Sequence, residues 1–244
     1  MAHKVAITTI SLNEEKFAQR FMDAHKNEAD AIFVLDTGST DKTVEILRDN
    51  GAIVKTGWTR PWRFDIPRNA ALNMVPSNYK ICVSVDIDEV FSPGLKENLL
   101  KIWTPETTRV RYQYAWSVNE DGTLGTTFWY DKIFHRDHYR WVLPVHEVLC
   151  YSSPYGTEIQ TWSPDIFLTH KPDNTKSRSS YLPLLEMAHR ENPDDDRTAH
   201  YLGREYMFHG KYNEAIEQLT RHLAMPRSQW SSERCASMRF IGRS

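Results

Sequence analysis

The chain has 244 residues, 40% of them hydrophobic and 25% charged, which suits one large soluble domain or one domain with a small appendage. A formal net charge of −2 gives no bulk attraction toward nucleic acid or an anionic membrane, and no run approaches the roughly 18 apolar residues that span a bilayer. The three cysteines, Cys82, Cys150 and Cys235, are scattered with no Cys-x-x-Cys pair, which argues against a disulfide framework or a thiolate zinc site. With no signal-peptide pattern ahead of the first strand-like segment, the expected location is cytoplasmic.

Residues 5–12 read as an apolar, Thr-rich strand, and Asn13 is placed to cap a following helix that has Glu14 and Glu15 in its first turn. Residues 31–35 form a second strand ending in Asp36-Thr37-Gly38-Ser39-Thr40-Asp41. A helix follows to about residue 50, stopped by Gly51, and then a third strand at 52–56. Residues 65–74 are helical, with Pro67 tolerated in the first turn, and 79–85 are a fourth strand. Strand and helix alternate every 20 to 25 residues, which gives a Rossmann-like α/β unit with a mostly parallel sheet. After Pro93 and a helix to Trp103 the texture changes. Residues 110–118 and 126–134 form a hairpin around Asn119-Glu120-Asp121-Gly122, and 141–170 continue in short strand pieces broken by Pro144, Pro154 and Pro164. This is an antiparallel extension of the sheet.

From about Ser177 the chain is helical. Ala199, Leu202, Gly203 and Tyr206 share one helix face, Gly210 makes a turn, and Tyr212, Ala215, Ile216 and Leu219 face back. That spacing resembles a tetratricopeptide helix pair, and Ile241-Gly242 repeats Leu202-Gly203 after 39 residues. One such pair cannot bury its own face, so the tail either continues beyond residue 244 or docks on the preceding domain. The expected division is residues 1–176 and a helical tail at 177–244.

Residues 81–90, I-C-V-S-V-D-I-D-E-V, run a buried strand straight into Asp86, Asp88 and Glu89. Carboxylates that close raise one another's pKa unless a cation or a shared proton compensates. In open α/β sheets ligands bind beyond the carboxyl ends of the strands. Three polar clusters fall at such ends: Ser11-Leu12-Asn13, Asp36 to Asp41, and Asp86-Ile87-Asp88. Glu89 is expected to face away or salt-bridge to a neighbour.

V-L-D-T-G-S-T-D-K-T resembles the D-x-G-S-x-D-x-T segment of family 2 glycosyltransferases. F-D-I-P-R-N-A-A-L is similar to the arginine-bearing helix of that family, and S-V-D-I-D-E to its D-x-D. W-V-L-P-V-H-E is similar to a segment of the branch with tetratricopeptide tails. The resemblance covers roughly residues 4–225. It implies a GT-A fold and inverting transfer of a sugar from a nucleotide-sugar donor, a UDP-sugar being favoured, to a hydroxyl on a glycan, protein or modified nucleobase. It also implies Mn²⁺ or Mg²⁺, with Asp88 as a metal ligand and His170 matching a histidine that completes the metal site in some GT-A enzymes.

Ser11, Asn13, Asp36, Ser39, Arg68 and Asp86 then fall to the nucleotide sugar. Asp36 can accept from a base N–H or a ribose hydroxyl, and Arg68 can meet base or phosphate with its planar fork. The structural alternative for Arg68 is an ion pair with Asp65. An inverting transfer needs a base for the acceptor proton. Glu147 is the candidate, with His146 to orient it and Asp131 and Asp137 as rivals. Trp58, Trp62, Trp129, Trp141 and Trp162 are stacking platforms for sugars or packing residues. Lys55, Arg60, Arg63 and Arg68, interleaved with Trp58, Trp62 and Phe64, would suit an anionic acceptor, though the balanced net charge makes nucleic acid an unfavoured partner. A protein partner on the helical tail is the other expected contact.

Two other classes compete. V-S-V-D-I-D-E-V fits the hhhhDxDx[TV] pattern of haloacid-dehalogenase-like phosphohydrolases, whose first Asp is a nucleophile, but that pattern normally follows the first strand of its domain and here follows the fourth. A non-catalytic interaction protein with an inert transferase domain would be expected to have lost one of Asp36, Arg68, Asp86 or Asp88, and all are present.

Overall fold

The computed structural model describes residues 3–57, 60–119, 121–154, 156–172 and 181–244. Trp58, Glu120 and the expected 176/177 boundary lie outside the described residues. The chain begins with β1 (Lys4–Ser11), α1 (Glu15–His25), β2 (Ala31–Asp36), α2 (Thr43–Asp49), β3 (Ile53–Thr56), α3 (Asp65–Asn73) and β4 (Tyr79–Ser84). It continues with β5 (Glu89–Phe91), α4 (Leu95–Ile102), β6 (Arg109–Ala115), β7 (Thr127–His135), β8 (Tyr139–Val142), β9 (Val148–Tyr151) and β10 (Gln160–His170). Four helices follow: α5 (Tyr181–Glu191), α6 (Asp196–Phe208), α7 (Tyr212–Ala224) and α8 (Ser231–Ile241).

One mixed sheet runs β3-β2-β1-β4-β7-β6-β10-β5. Its β3-β2-β1-β4 half is parallel. β7 is antiparallel to both β4 and β6, β10 is parallel to β6, and β5 is antiparallel to β10. The arrangement is an α/β fold consistent with GT-A. β1, β2 and β4 read as near-continuous apolar runs because both of their faces are covered, whereas β3 is a largely exposed edge strand. Val5, Ile7, Val34, Ile81 and Val83 pack with Phe21, Met22 and Leu47 on one face. Ala6, Phe33 and Cys82 pack with Leu72, Phe134 and Trp141 on the other. The chain leaves β1 outward through β2 and β3 and returns on the far side of β1 as β4, so strand order reverses between β1 and β4. A ligand crevice forms at such a switch point.

Three local features differ from the sequence reading. Asn13 does not cap α1. Its φ is +53° and Glu14 occupies the N-cap position without a side-chain cap. The short strand β5 was not foreseen, because a three-residue strand exists only through its pairing with β10, about 80 residues later. Residues 160–170 form one strand through Pro164, and the register shift between Ser163 and Phe167 takes the proline out of the ladder.

The chain divides into two compact units, Met1–Val142 with Val148–Asn174, and Leu143–Glu147 with Thr175–Ser244. In the second unit Ala199, Leu202, Ala215 and Leu219 are buried, and Gly210 makes the turn at φ +70°. Gly203 is required for close approach. A Cβ there would lie 2.6 Å from Leu219 Cγ and 3.1 Å from the Leu219 amide nitrogen. Tyr212 and Ile216, expected to face back, are 50% and 38% exposed. Ile241-Gly242 stands at the end of α8, where a Cβ on Gly242 would meet nothing nearer than 3.7 Å.

Candidate functional site

Ser11, Asn13, Asp36 and Ser39 belong to one hydrogen-bonded network at the ends of β1 and β2. Asp36 is 1% exposed. Its Oδ1 accepts from the Ser11 hydroxyl (3.0 Å) and the Ser39 hydroxyl, and its Oδ2 from the amides of Gly38 (3.0 Å) and Ser39 (2.9 Å). Gly38 has φ +113°, a conformation that side chains rarely adopt, and it lets the chain fold back over the carboxylate. The Asn13 amide donates to Ser39 Oγ (2.9 Å), and Asn13 Oδ1 accepts from the Thr40 amide (2.8 Å). Asn13 therefore ties the β1–α1 loop to the β2 loop, which accounts for its positive φ.

At the end of β4 the chemistry changes from neutral donors to ion pairs. Arg68, on α3 and nearly buried, places Nη2 2.8 Å from Asp86 Oδ1 and stacks over the Trp141 ring at 5.0 Å. Its neighbour Asn69 grips the same strand, exchanging hydrogen bonds with the Trp141 carbonyl and amide at 2.9 Å each. The Arg-Asn pair thus locks α3 to β8 and delivers the guanidinium to Asp86. Asp65, the alternative partner weighed for Arg68, is held by Arg63 at 2.6 Å.

Asp86 Oδ2 accepts from Lys132 Nζ at 2.9 Å, a residue of β7 that the sequence reading missed. The available signal was the alternation Phe128, Tyr130, Lys132, Phe134, which in a regular strand puts the lysine on the same face as three aromatic residues, where a buried ammonium requires an anionic partner. Glu89 does not face away. It is 2% exposed, accepts from the Asp86 amide (2.8 Å) and the Tyr114 hydroxyl (3.0 Å), and lies 3.8 Å from Lys132. Pairing of β5 with β10 sets Glu89 opposite His170 and so brings it inward.

Arg68 and Lys132 balance Asp86 and Glu89, two charges of each sign. Burial works against the charged form of Asp86, but the two cations outweigh it and hold its carboxyl well below the usual range. Burial likewise opposes the Lys132 ammonium, and Asp86 and Glu89 outweigh it, raising its pKa. For Glu89 burial prevails over the pull of Lys132, and the Asp86 carboxylate adds to it, so its pKa is raised.

Asp88 lies beside this group, with His170 Nε2 3.3 Å from its Oδ2 and its carbonyl accepting from the Lys171 amide at 2.8 Å. Burial lowers the His170 pKa, but the Asp88 carboxylate outweighs it and leaves the imidazole above its ordinary value. Among the described residues no group of three or more His, Cys, Asp and Glu side chains could hold a metal ion. Asp88 and His170 offer two donors, which fits a divalent cation that completes its shell with substrate oxygens and water.

Glu147 is half-buried and groups with the helical unit, as does His146, whose ring stacks on Tyr201 at 4.0 Å. Its rivals both engage cations: Asp131 with Arg109 at 2.7 Å, and Asp137 with Lys80 at 2.8 Å. Trp141 is a packing residue at 3% exposure, and Trp62 packs edge-on against Phe64. Trp129 and Trp162 pack against each other at 4.9 Å.

The parallel half-sheet, with acids and an arginine gathered where its strand order reverses, is the arrangement of a ligand-binding α/β domain. The chain belongs to glycosyl transferase family 2: residues 6–151, more than half of it, match the family described as Glycosyl transferase family 2. That membership sets the phosphohydrolase reading aside. A stretch of 106 residues is 29% identical to an uncharacterized glycosyltransferase of Rickettsia bellii (strain RML369-C), covering 43% of this chain and 35% of that one. The chain thus spans about a third of the length of that curated relative. Among solved structures it is similar to glucosyl-3-phosphoglycerate synthase from Mycobacterium tuberculosis in complex with Mg²⁺ and UDP (22% identity, TM-score 0.39, 46% of this chain and 44% of that chain). The same enzyme with Mn²⁺, UDP-glucose and phosphoglyceric acid gives the same values. Among the described residues no helix is long and apolar enough to cross a membrane.

Proposed function

We propose that the protein transfers a glycosyl group, with inversion, from a nucleoside-diphosphate sugar to an acceptor hydroxyl, a UDP-sugar being the favoured donor. The observation that carries this reading is the adjoining of Asp88–His170 to the Arg68–Asp86–Lys132–Glu89 group at the end of β4. Asp88 and His170 would hold Mn²⁺ or Mg²⁺. When bound, the cation neutralises charge on the leaving diphosphate. The network of Ser11, Asn13, Asp36 and Ser39 offers a pre-shaped loop for the nucleoside, and Arg68 a planar cation for base or phosphate. The acceptor oxygen attacks the anomeric carbon as the bond from that carbon to the diphosphate oxygen breaks. Glu147 is proposed to take the acceptor proton. The helix pair α6–α7, closed at Gly203, supports a tetratricopeptide-like surface for a protein partner.

Thermal unfolding with UDP, GDP, CDP and dTDP, each with Mn²⁺ or EDTA, tests this. A ligand at 100 times its Kd stabilises by about 2.7 kcal/mol, a rise of roughly 5–10 °C for a chain of this size. The expected result is a rise with one nucleotide, lost with EDTA and lost in Asp88→Ala. A chain that no nucleotide stabilises would not be a nucleotide-sugar enzyme.

A further inference from the structure

Next to the Asp88–His170 pair the sheet ends in an aromatic face that the chemistry above does not use. Tyr114 and Trp116 come from β6 and the residue just after it, and Phe128 and Tyr130 from β7. Tyr114 lies 4.8 Å from Tyr130, 5.1 Å from Phe128 and 6.3 Å from Trp116, between ring centroids. The face is graded from core to water. Tyr114 is 2% exposed and its hydroxyl is fixed on Glu89, whereas Phe128 and Trp116 are 40% and 46% exposed. A single exposed aromatic needs no explanation. Here two are exposed on one face, and the larger packs on a residue of the candidate site: Trp116 and His170 have centroids 4.7 Å apart and planes tilted by 33°.

We propose that the exposed indole of Trp116 is a stacking platform for a pyranose ring beside the Asp88–His170 pair, an assignment that rests on the transferase reading. A pyranose combines an apolar C–H face with a rim of hydroxyls. The electron-rich face of an indole suits the polarised C–H bonds, and Asp88 and His170 can meet hydroxyls at its edge. The platform is pre-formed, since the His170 ring packs against the indole at 4.7 Å and the Tyr114 ring lies 6.3 Å from both. Little side-chain entropy then remains to be lost on binding. The sugar comes either from the donor or from a glycan acceptor, and the chemistry of stacking is the same for both.

Two measurements on the full chain separate these sources. Calorimetric affinities for UDP and UDP-glucose with Mn²⁺ read the donor sugar. Saturation-transfer NMR with methyl β-D-glucopyranoside and methyl β-D-galactopyranoside, in the presence of UDP, reads an acceptor sugar. In Trp116→Ala, UDP affinity is expected to hold within about twofold. Against that background, either UDP-glucose weakens by about tenfold or the transfer to methyl glycoside protons disappears, and Trp116→Phe restores most of it. Circular dichroism controls for folding, and the exposure of the indole makes a preserved fold the expectation. If Trp116→Ala leaves both readouts at the parent level, or weakens UDP as much as UDP-glucose, the platform is overturned. A parent chain that contacts neither UDP-glucose nor either glycoside overturns it as well. Failure of the transferase reading looks different: the parent binds no nucleotide at all, while the glycoside measurement still decides the platform.

Discussion

The loop after β2 and the turn after β4 each hold a carboxylate at the end of a parallel strand, Asp36 buried and Asp86 half-buried, and they satisfy it in opposite ways. Asp36 takes four neutral donors from Ser11, Gly38 and Ser39, so its geometry is fixed while its charge is left uncancelled. Asp86 takes two cations, one on each oxygen, so its charge is cancelled as well as its geometry fixed. Neutral donors to a carboxylate build a shape, and breaking them costs the desolvation of one group. Buried ion pairs hold opposed charges at close range, and removing one member strands the others. The first region is a rigid cradle. The second is a charge balance.

Removing a cation from the second region gives the largest effect. Lys132→Met leaves the buried Glu89, and one oxygen of the half-buried Asp86, without their ammonium, and the expected loss is about 3 kcal/mol by urea unfolding. Adding Glu89→Gln removes one of the stranded charges and should recover part of that loss. The sign of the pH dependence sharpens the test. A carboxyl whose folded pKa is raised, as for Glu89, destabilises the fold as pH rises through its unfolded value of 4.5, fully so above the folded value. The deficit of Lys132→Met should therefore narrow as pH falls toward 4.5. A variant within 1 kcal/mol of the parent at pH 7 would mean that the four groups are not charge-balanced by Lys132.

The two regions also differ in how far they could be read from sequence. β1, β2 and β4 are continuous apolar runs ending in polar clusters, so the strands and the placing of Asp36, Asp86 and Asp88 at their ends were legible. Arg68 was legible through the family pattern around it. What was hidden depends on long-range pairing. Glu89 turns inward only because β5 pairs with β10, and Lys132 reaches Asp86 from a strand 46 residues away. Trp116 drew no notice because its neighbour His170 is brought to it by the pairing of β6 with β10. Asn13 was misread for another reason. Asn followed by two glutamates matches a capping pattern, but the β2 loop competes for the same side chain and wins. In the tail, the close approach at Gly203 was legible from small residues at helical spacing, whereas the exposure of Tyr212 and Ile216 depends on what lies beyond the helix pair.

An intermediate effect is expected in the first region. Asp36→Asn keeps one oxygen and turns an NH₂ group toward donors, so one pair of hydrogen bonds is lost with little change in volume. The expected loss is about 1–3 kcal/mol, with faster amide exchange at Gly38 and Ser39. If Asp36→Asn destabilised as much as Lys132→Met, the distinction between cradle and charge balance would fail.

The smallest effect separates backbone from side chain within the cradle. Asn13 contributes a φ of +53°, a hydrogen bond from the Thr40 amide and the amide donated to Ser39. Asn13→Gly keeps the backbone conformation and deletes the side-chain bond, and its expected cost is about 0.5–1.5 kcal/mol. Asn13→Ala deletes the same bond and adds a Cβ in the left-handed region, a further cost of roughly 1 kcal/mol. Ala should therefore be the worse replacement at this position, the reverse of the order found in a helix interior. If Gly were the worse of the two, the left-handed backbone at Asn13 would not be what sets the order. If both matched the parent, the tie between the β1 and β2 loops would contribute no stability, and the backbone around Asp36 alone would be shaping the cradle.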